Sequence, residues 1–121
     1  MEQQEVQNYS IDSINTRPTL DRVKESLFNI VQEKMEDSIV LDLFAGSGAI
    51  GIECISRGAK KAYFCEKSPD ATKMIKQNLE KTRFADKSEI LMQDYKKALS
   101  EYHKRGIKFD LIFLDPPYEA D

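Results

Sequence analysis

No stretch of this 121-residue sequence approaches the roughly 18 consecutive apolar residues that span a bilayer, and its polar amino terminus has no signal-peptide apolar core. The expectation is a cytoplasmic chain with no membrane partner. Cysteine is scarce: Cys54 and Cys65 are too few for a disulfide scaffold or a metal-ligand cluster, and both read as reduced packing residues. The lone histidine, His103, lies among Lys104, Arg105 and Lys108 and reads as solvated rather than as a catalytic base. Basic charge is not in excess, with 18 Lys and Arg against 21 Asp and Glu. The whole net charge of −3 falls on Glu2, Glu5 and Asp12, which no Lys or Arg accompanies before Arg17. By composition alone this counts against a nucleic-acid partner, which normally leaves a basic footprint. Repeats and low-complexity segments are also lacking.

The length suits one domain, and 40% hydrophobic residues allow a modest core. Residues 1–15 form a polar arm or a marginal edge strand. Residues 16–121 form the domain proper. A helix begins after Thr16-Arg17-Pro18-Thr19, with Thr19 as N-cap and Leu20, Val23, Leu27, Ile30 and Val31 on one face.

From residue 39 strands and helices alternate, as in a parallel sheet with crossovers. Ile39 to Phe44 reads as a strand, and Ala49 to about Arg57 as a helix closed by Gly58. Ala62 to Cys65 is the next strand. Ser68 and Pro69 then open a helix with Ala71, Met74, Ile75 and Leu79 inward. A third strand covers Glu89 to Met92, followed by a helix from Tyr95 to about Arg105 with Ala98, Leu99 and Tyr102 inward. The fourth strand, Phe109 to Leu114, is apolar except for Asp110.

The chain is organised around Asp42-Leu43-Phe44-Ala45-Gly46-Ser47-Gly48, where a strand runs into a glycine-rich turn and then a helix. Such a turn lets a ligand approach the main chain and brings helix amides to it. Gly46, Gly48 and Gly51 also fit a dinucleotide fingerprint, with Glu66 placed to hold a ribose. Asp42 favours a ligand with a cationic amino group over a pyrophosphate. A tight turn with no ligand is the bland alternative.

Asp42, Glu66, Asp94 and Asp115 each fall at or near the carboxyl end of an expected strand, so they should gather along one edge of the sheet. Singly, each reads as a helix cap or turn residue. At Asp115-Pro116-Pro117-Tyr118 the prolines hold the chain extended, leaving the Asp115 carboxylate and the Pro116 carbonyl as fixed acceptors. Two acceptors suit an exocyclic amino group, whose lone pair must be localised before it attacks, and Tyr118 offers a flat face to a base. A proline-stiffened turn with a buried tyrosine is the other reading.

At these residues the chain resembles the class I S-adenosylmethionine-dependent methyltransferases. More narrowly, Thr16 to Thr19, Asp21 to Asn29 and Asp42 to Gly48 are similar to the bacterial 16S ribosomal RNA guanine-N2 methyltransferase family. That resemblance implies a doubly wound, Rossmann-like α/β sheet of strand order 3-2-1-4 with an added amino-terminal helix. It implies that Asp42, Phe44, Ala45, Gly46, Ser47 and Gly48 hold the methionine part of S-adenosylmethionine, Glu66 and Lys67 the ribose side, and Asp94 the adenine amino group. Asp115, Pro116, Pro117 and Tyr118 would hold and activate the base, with Thr16 and Arg17 bordering the site. The sulfonium is already an activated donor, so no metal is needed. The implied partner is ribosomal RNA or the small ribosomal subunit, although residues 1–15 lack the family's usual basic, glycine-containing segment.

Only Glu119, Ala120 and Asp121 follow the last motif, where the family's sheet continues. The expectation is a sheet cut short after its fourth strand, with that strand an edge open to self-association unless something covers it. Other readings remain: a cofactor-binding module without turnover, an amino-methyltransferase acting on DNA, and, least well supported, a nicotinamide dehydrogenase.

Overall fold

The computed structural model describes residues 7–9 and 32–114. Five parallel strands form one sheet: β1 (Gln7–Tyr9), β2 (Ile39–Asp42), β3 (Lys61–Cys65), β4 (Ser88–Leu91) and β5 (Leu111–Phe113). Their spatial order is β1-β5-β2-β3-β4. The four strands from residue 39 onward therefore lie in the expected 3-2-1-4 order. Register is set at the centre, where Val40 stands beside Ala62 on one side and Leu111 on the other.

Three helices cross between the strands: α1 (Ala49–Ser56), α2 (Pro69–Thr82) and α3 (Tyr95–Lys104). Strand alternation divides the core in two. Val40, Ala62, Phe64 and Leu111 meet Cys54 of α1 and Ile75 and Leu79 of α2. Leu41, Tyr63 and Cys65 point the other way, onto Ala98 and Tyr102 of α3 and onto Phe109. Both faces of β2 and β3 are thus covered, which explains their unbroken apolar runs.

Local signals account for the boundaries. The Ser68 hydroxyl accepts from the Ala71 N–H at 3.2 Å, Pro69 takes the first helical position, and Asp70 sits in the first turn. Gly58, at φ +113°, follows α1 and lets the chain reverse toward β3. Asp110, the one charge in the fourth apolar run, accepts from the Ile39 N–H at 2.8 Å, fastening the start of β2 to β5.

Several expectations change. Residues 7–9 of the polar arm pair with β5, so β5 is not the sheet edge and the flank expected to be open is covered by β1. The fourth strand is also shorter than Phe109 to Leu114, because Asp110 turns to β2. Met74 is 48% exposed and Leu99 38% exposed; Thr72 is buried in place of Met74. The residues named for the expected amino-terminal helix, Thr19 to Val31, lie outside the described residues; residues 32–35, which follow them, are helical. Among the described residues no helix is long and apolar enough to cross a membrane.

Tyr102 is 2% exposed in an edge-to-face cluster with Tyr63 and Phe109, and its hydroxyl has no hydrogen-bond partner among the described residues. Tyr102→Phe removes an unsatisfied polar atom and keeps the ring, so urea unfolding should give equal stability or a gain of up to about 1 kcal/mol. Tyr102→Ala should cost about 3–5 kcal/mol.

Arg105 pairs through both its terminal nitrogens with Glu89, and Lys61 lies 3.7 Å from the same carboxylate. The Arg105 hydrogen bond holds the Glu89 carboxyl below its ordinary range. A carboxyl depressed by folding adds stability above its unfolded pKa of about 4.3 and loses it as pH falls through the folded value. Wild type should therefore exceed Glu89→Gln slightly at pH 7 in urea unfolding, the pair being solvent-screened, with the difference vanishing in stronger acid.

Candidate functional site

A cavity of about 860 Å³ opens at the carboxyl edge of the sheet, on the α3 side. Four strand ends contribute. Leu43 and Phe44 follow β2, Glu66 and Lys67 follow β3, Gln93 and Asp94 follow β4, and Leu114 follows β5. Chain order reverses direction across the sheet between β2 and β5, and such switch points are where open α/β sheets take ligands. Tyr95 and Leu99, one turn apart at the start of α3, complete the wall, and the Tyr95 ring stands 5.2 Å from that of Phe44.

The glycine turn borders this cavity and is held from below. Gly48, at φ +83°, is the N-cap of α1 and offers no side-chain acceptor, and no acidic residue lies in the helix's first turn. Asp42 supplies one from β2: its carboxylate accepts from the Gly51 N–H at 3.2 Å. At 1% exposure Asp42 lies beneath the turn, where a helix amide and the positive end of the helix offset part of the cost of burying its charge. It faces α1, not the cavity. Gly51 has no room for a side chain, because a Cβ there would run into the Phe64 ring.

Glu66 spans two elements. One carboxylate oxygen accepts from the Gly46 N–H and the other from the Ser68 N–H, each at 2.9 Å. The same residue thus ties the glycine turn to the end of β3 and lines the cavity. Asp94 caps α3, accepting from the Lys96 N–H at 3.3 Å. On the opposite flank of the turn, the Asn78 amide donates to the Ser47 carbonyl at 2.9 Å.

These carboxylates set the local potential. Burial, then Glu66, Asp94 and Asp42, pushes the Cys65 thiol up to about 11, so it stays protonated at neutral pH and is no nucleophile. Cys54 is shifted up as well, chiefly by burial. Among the described residues no group of His, Cys, Asp and Glu is arranged to hold a metal ion.

Of the residues singled out in the sequence, Phe44, Glu66, Lys67 and Asp94 meet around the cavity. Asp42, Ala45, Gly46, Ser47 and Gly48 form or support the adjoining turn instead. Its amides are less open than expected: Gly46 and Gly51 give theirs to carboxylates, and Gly48 donates to the Ala45 carbonyl at 2.8 Å. Thr16, Arg17, Asp115, Pro116, Pro117 and Tyr118 lie outside the described residues. The sequence reading missed Leu43, Cys65, Gln93, Tyr95, Leu99 and Leu114 as lining residues. Their signal was adjacency to the strand-end acids and, for Tyr95 and Leu99, a shared helix face next to Asp94.

The family model described as conserved hypothetical protein 95 matches residues 6–121. Ribosomal RNA small subunit methyltransferase D of Haemophilus influenzae is 38% identical over 109 residues, covering 89% of this chain and 56% of that protein. A hypothetical protein of Thermus thermophilus, with a solved structure, matches at a TM-score of 0.73 and 29% identity over 88% of this chain and 61% of that one. The SAM-dependent methyltransferase from Agrobacterium tumefaciens shares the fold, with a TM-score of 0.70 at 24% identity over 84% of this chain and 33% of that one. The chain spans about half the length of the curated relatives it matches. With the family match running through almost its whole length, this chain belongs to the conserved hypothetical protein 95 family.

Proposed function

We propose that this chain binds S-adenosylmethionine along the carboxyl edge of its sheet and serves methyl transfer to the exocyclic N2 amino group of a guanine in small-subunit ribosomal RNA. The observation that carries the binding half is the meeting of Glu66, Lys67, Asp94 and Phe44 around one cavity beside the glycine turn. The residues fit the cofactor by charge. Glu66 and Asp94, two carboxylates on the cavity wall, suit a ligand bearing an ammonium and a sulfonium. The RNA half rests on the name of the Haemophilus relative and on the Asp115 to Tyr118 motif.

When bound, the cofactor supplies a methyl group already activated as a sulfonium. What this chain supplies is position. Each Glu66 oxygen, although engaged by a backbone N–H, keeps further lone-pair capacity for a ribose hydroxyl. Asp94, fixed as the cap of α3, keeps an acceptor for an amino group, and the Phe44–Tyr95 pair offers an apolar wall to a ring. Asp115 and the Pro116 carbonyl would accept from the guanine amino group, localising its lone pair, with Tyr118 stacked on the base. Thr16 and Arg17 would border the RNA.

Calorimetric titration with S-adenosylmethionine tests the first half. Wild type should bind, and Glu66→Ala should weaken binding about tenfold, as expected for lost hydrogen bonds to an ionised acceptor. A wild-type chain that gives no binding heat removes the proposal. For the second half, small- and large-subunit RNA are offered in parallel with radiolabelled cofactor. Label should enter the small-subunit RNA, and Asp115→Asn should lower incorporation by about 100-fold or more while leaving cofactor affinity within about twofold.

A further inference from the structure

Asn78 sits in the interior of α2, a position where asparagine is a poor helix former and alanine a good one. Its side chain is not among those lining the cavity. It reaches back to the glycine turn, where its Nδ2 donates to the Ser47 carbonyl at 2.9 Å. Ile75, one turn earlier on the same face of α2, closes on the neighbouring glycine: a Cβ on Gly48 would stand 3.2 Å from Ile75 Cγ2. On the other side of the turn Glu66 accepts from the Gly46 N–H. The segment 46–48 is therefore held at two adjacent residues in opposite senses, a donor drawn toward β3 and an acceptor drawn toward α2.

We propose that Asn78 is a positioning residue for the cofactor turn, fixing the Ser47 carbonyl from outside the cavity and thereby the path of the main chain beside the ligand. The inference rests on the reading of residues 42–48 as the segment that holds the amino-acid end of S-adenosylmethionine. Ser47 is flanked by glycines at φ +57° and +83°, and the planar peptide it shares with Gly48 is held at one end by the Gly48 N–H donating to the Ala45 carbonyl at 2.8 Å and at the other by Asn78 on the Ser47 carbonyl. Ser47 is exposed, and water would compete for that carbonyl in every other orientation. Asn78 supplies the second anchor of that peptide, at its carbonyl end.

The test compares wild type with Asn78→Ala and Asn78→Asp, the latter keeping the shape but turning an acceptor toward a carbonyl. S-adenosylhomocysteine and 5′-methylthioadenosine, which lacks the amino-acid portion, are titrated into each. Both variants should bind S-adenosylhomocysteine about three- to tenfold more weakly, the effect of one hydrogen bond, and methylthioadenosine within about twofold of wild type. Asn78→Ala should melt no lower than wild type, since alanine favours the helix, which separates positioning from folding. Amide hydrogen exchange at Gly48 should rise in both variants without ligand. Unchanged affinity for S-adenosylhomocysteine, equal weakening of both ligands, or unchanged exchange at Gly48 would each overturn the inference. A wild-type chain that binds neither ligand removes the reading of the turn itself, a result the exchange measurement keeps apart from the role of Asn78.

Discussion

The Phe64 ring fills the space that a side chain at residue 51 would need, and it also approaches the position of a Cβ on Gly48. The missing side chain at Gly51 therefore lets α1 seat directly on the Phe64 ring of β3. The site follows from that approach. Close seating puts the Gly51 N–H over Asp42, which makes a buried carboxylate tolerable at the end of the central strand. It also stretches the 46–48 turn across the ends of β2 and β3, within reach of Glu66 on one side and Asn78 on the other.

The acids at the strand ends are usually weighed as either structural or ligand-binding, and here the alternatives merge. Each described one accepts from a backbone N–H where a helix or turn begins: Asp42 from Gly51, Glu66 from Gly46 and Ser68, Asp94 from Lys96. A parallel sheet starts its crossovers along one edge, so orphan amides collect there and carboxylates collect with them. Those carboxylates add to burial in raising the Cys65 thiol. A cationic ligand would enter a field that the fold had already made.

Local chemistry made most of the architecture legible. Ser68-Pro69 marks a helix start, and the short apolar runs at 39–41 and 62–65, alternating with helical stretches, read as covered strands. What escaped depends on partners distant in sequence. Gln7–Tyr9 shows the weak alternation of a marginal edge strand, one of its two readings, but nothing local names β5 as its partner. Leu99 fits an inward stripe by periodicity, yet the helix meets a cavity at that point rather than a packed core. The orientation of Asp42 was readable and passed over. Two-residue alternation puts it with Val40 facing α1, whereas Leu41 and Leu43 face the cavity side.

The place of β5 bears on how the molecule is made. It is the last described strand in the sequence, yet it stands inside the sheet, with β2 on one side and β1 on the other. During synthesis at about 5–20 residues per second, β2 to β4 can assemble while one flank of β2 still lacks its neighbour. Gln7 meanwhile waits for Leu111, a pairing between nearly opposite ends of the described chain. Such distant contacts raise contact order and slow folding. The nascent chain thus carries an unpaired flank of its central strand until β5 leaves the ribosome, the interval in which a chaperone has the most to protect.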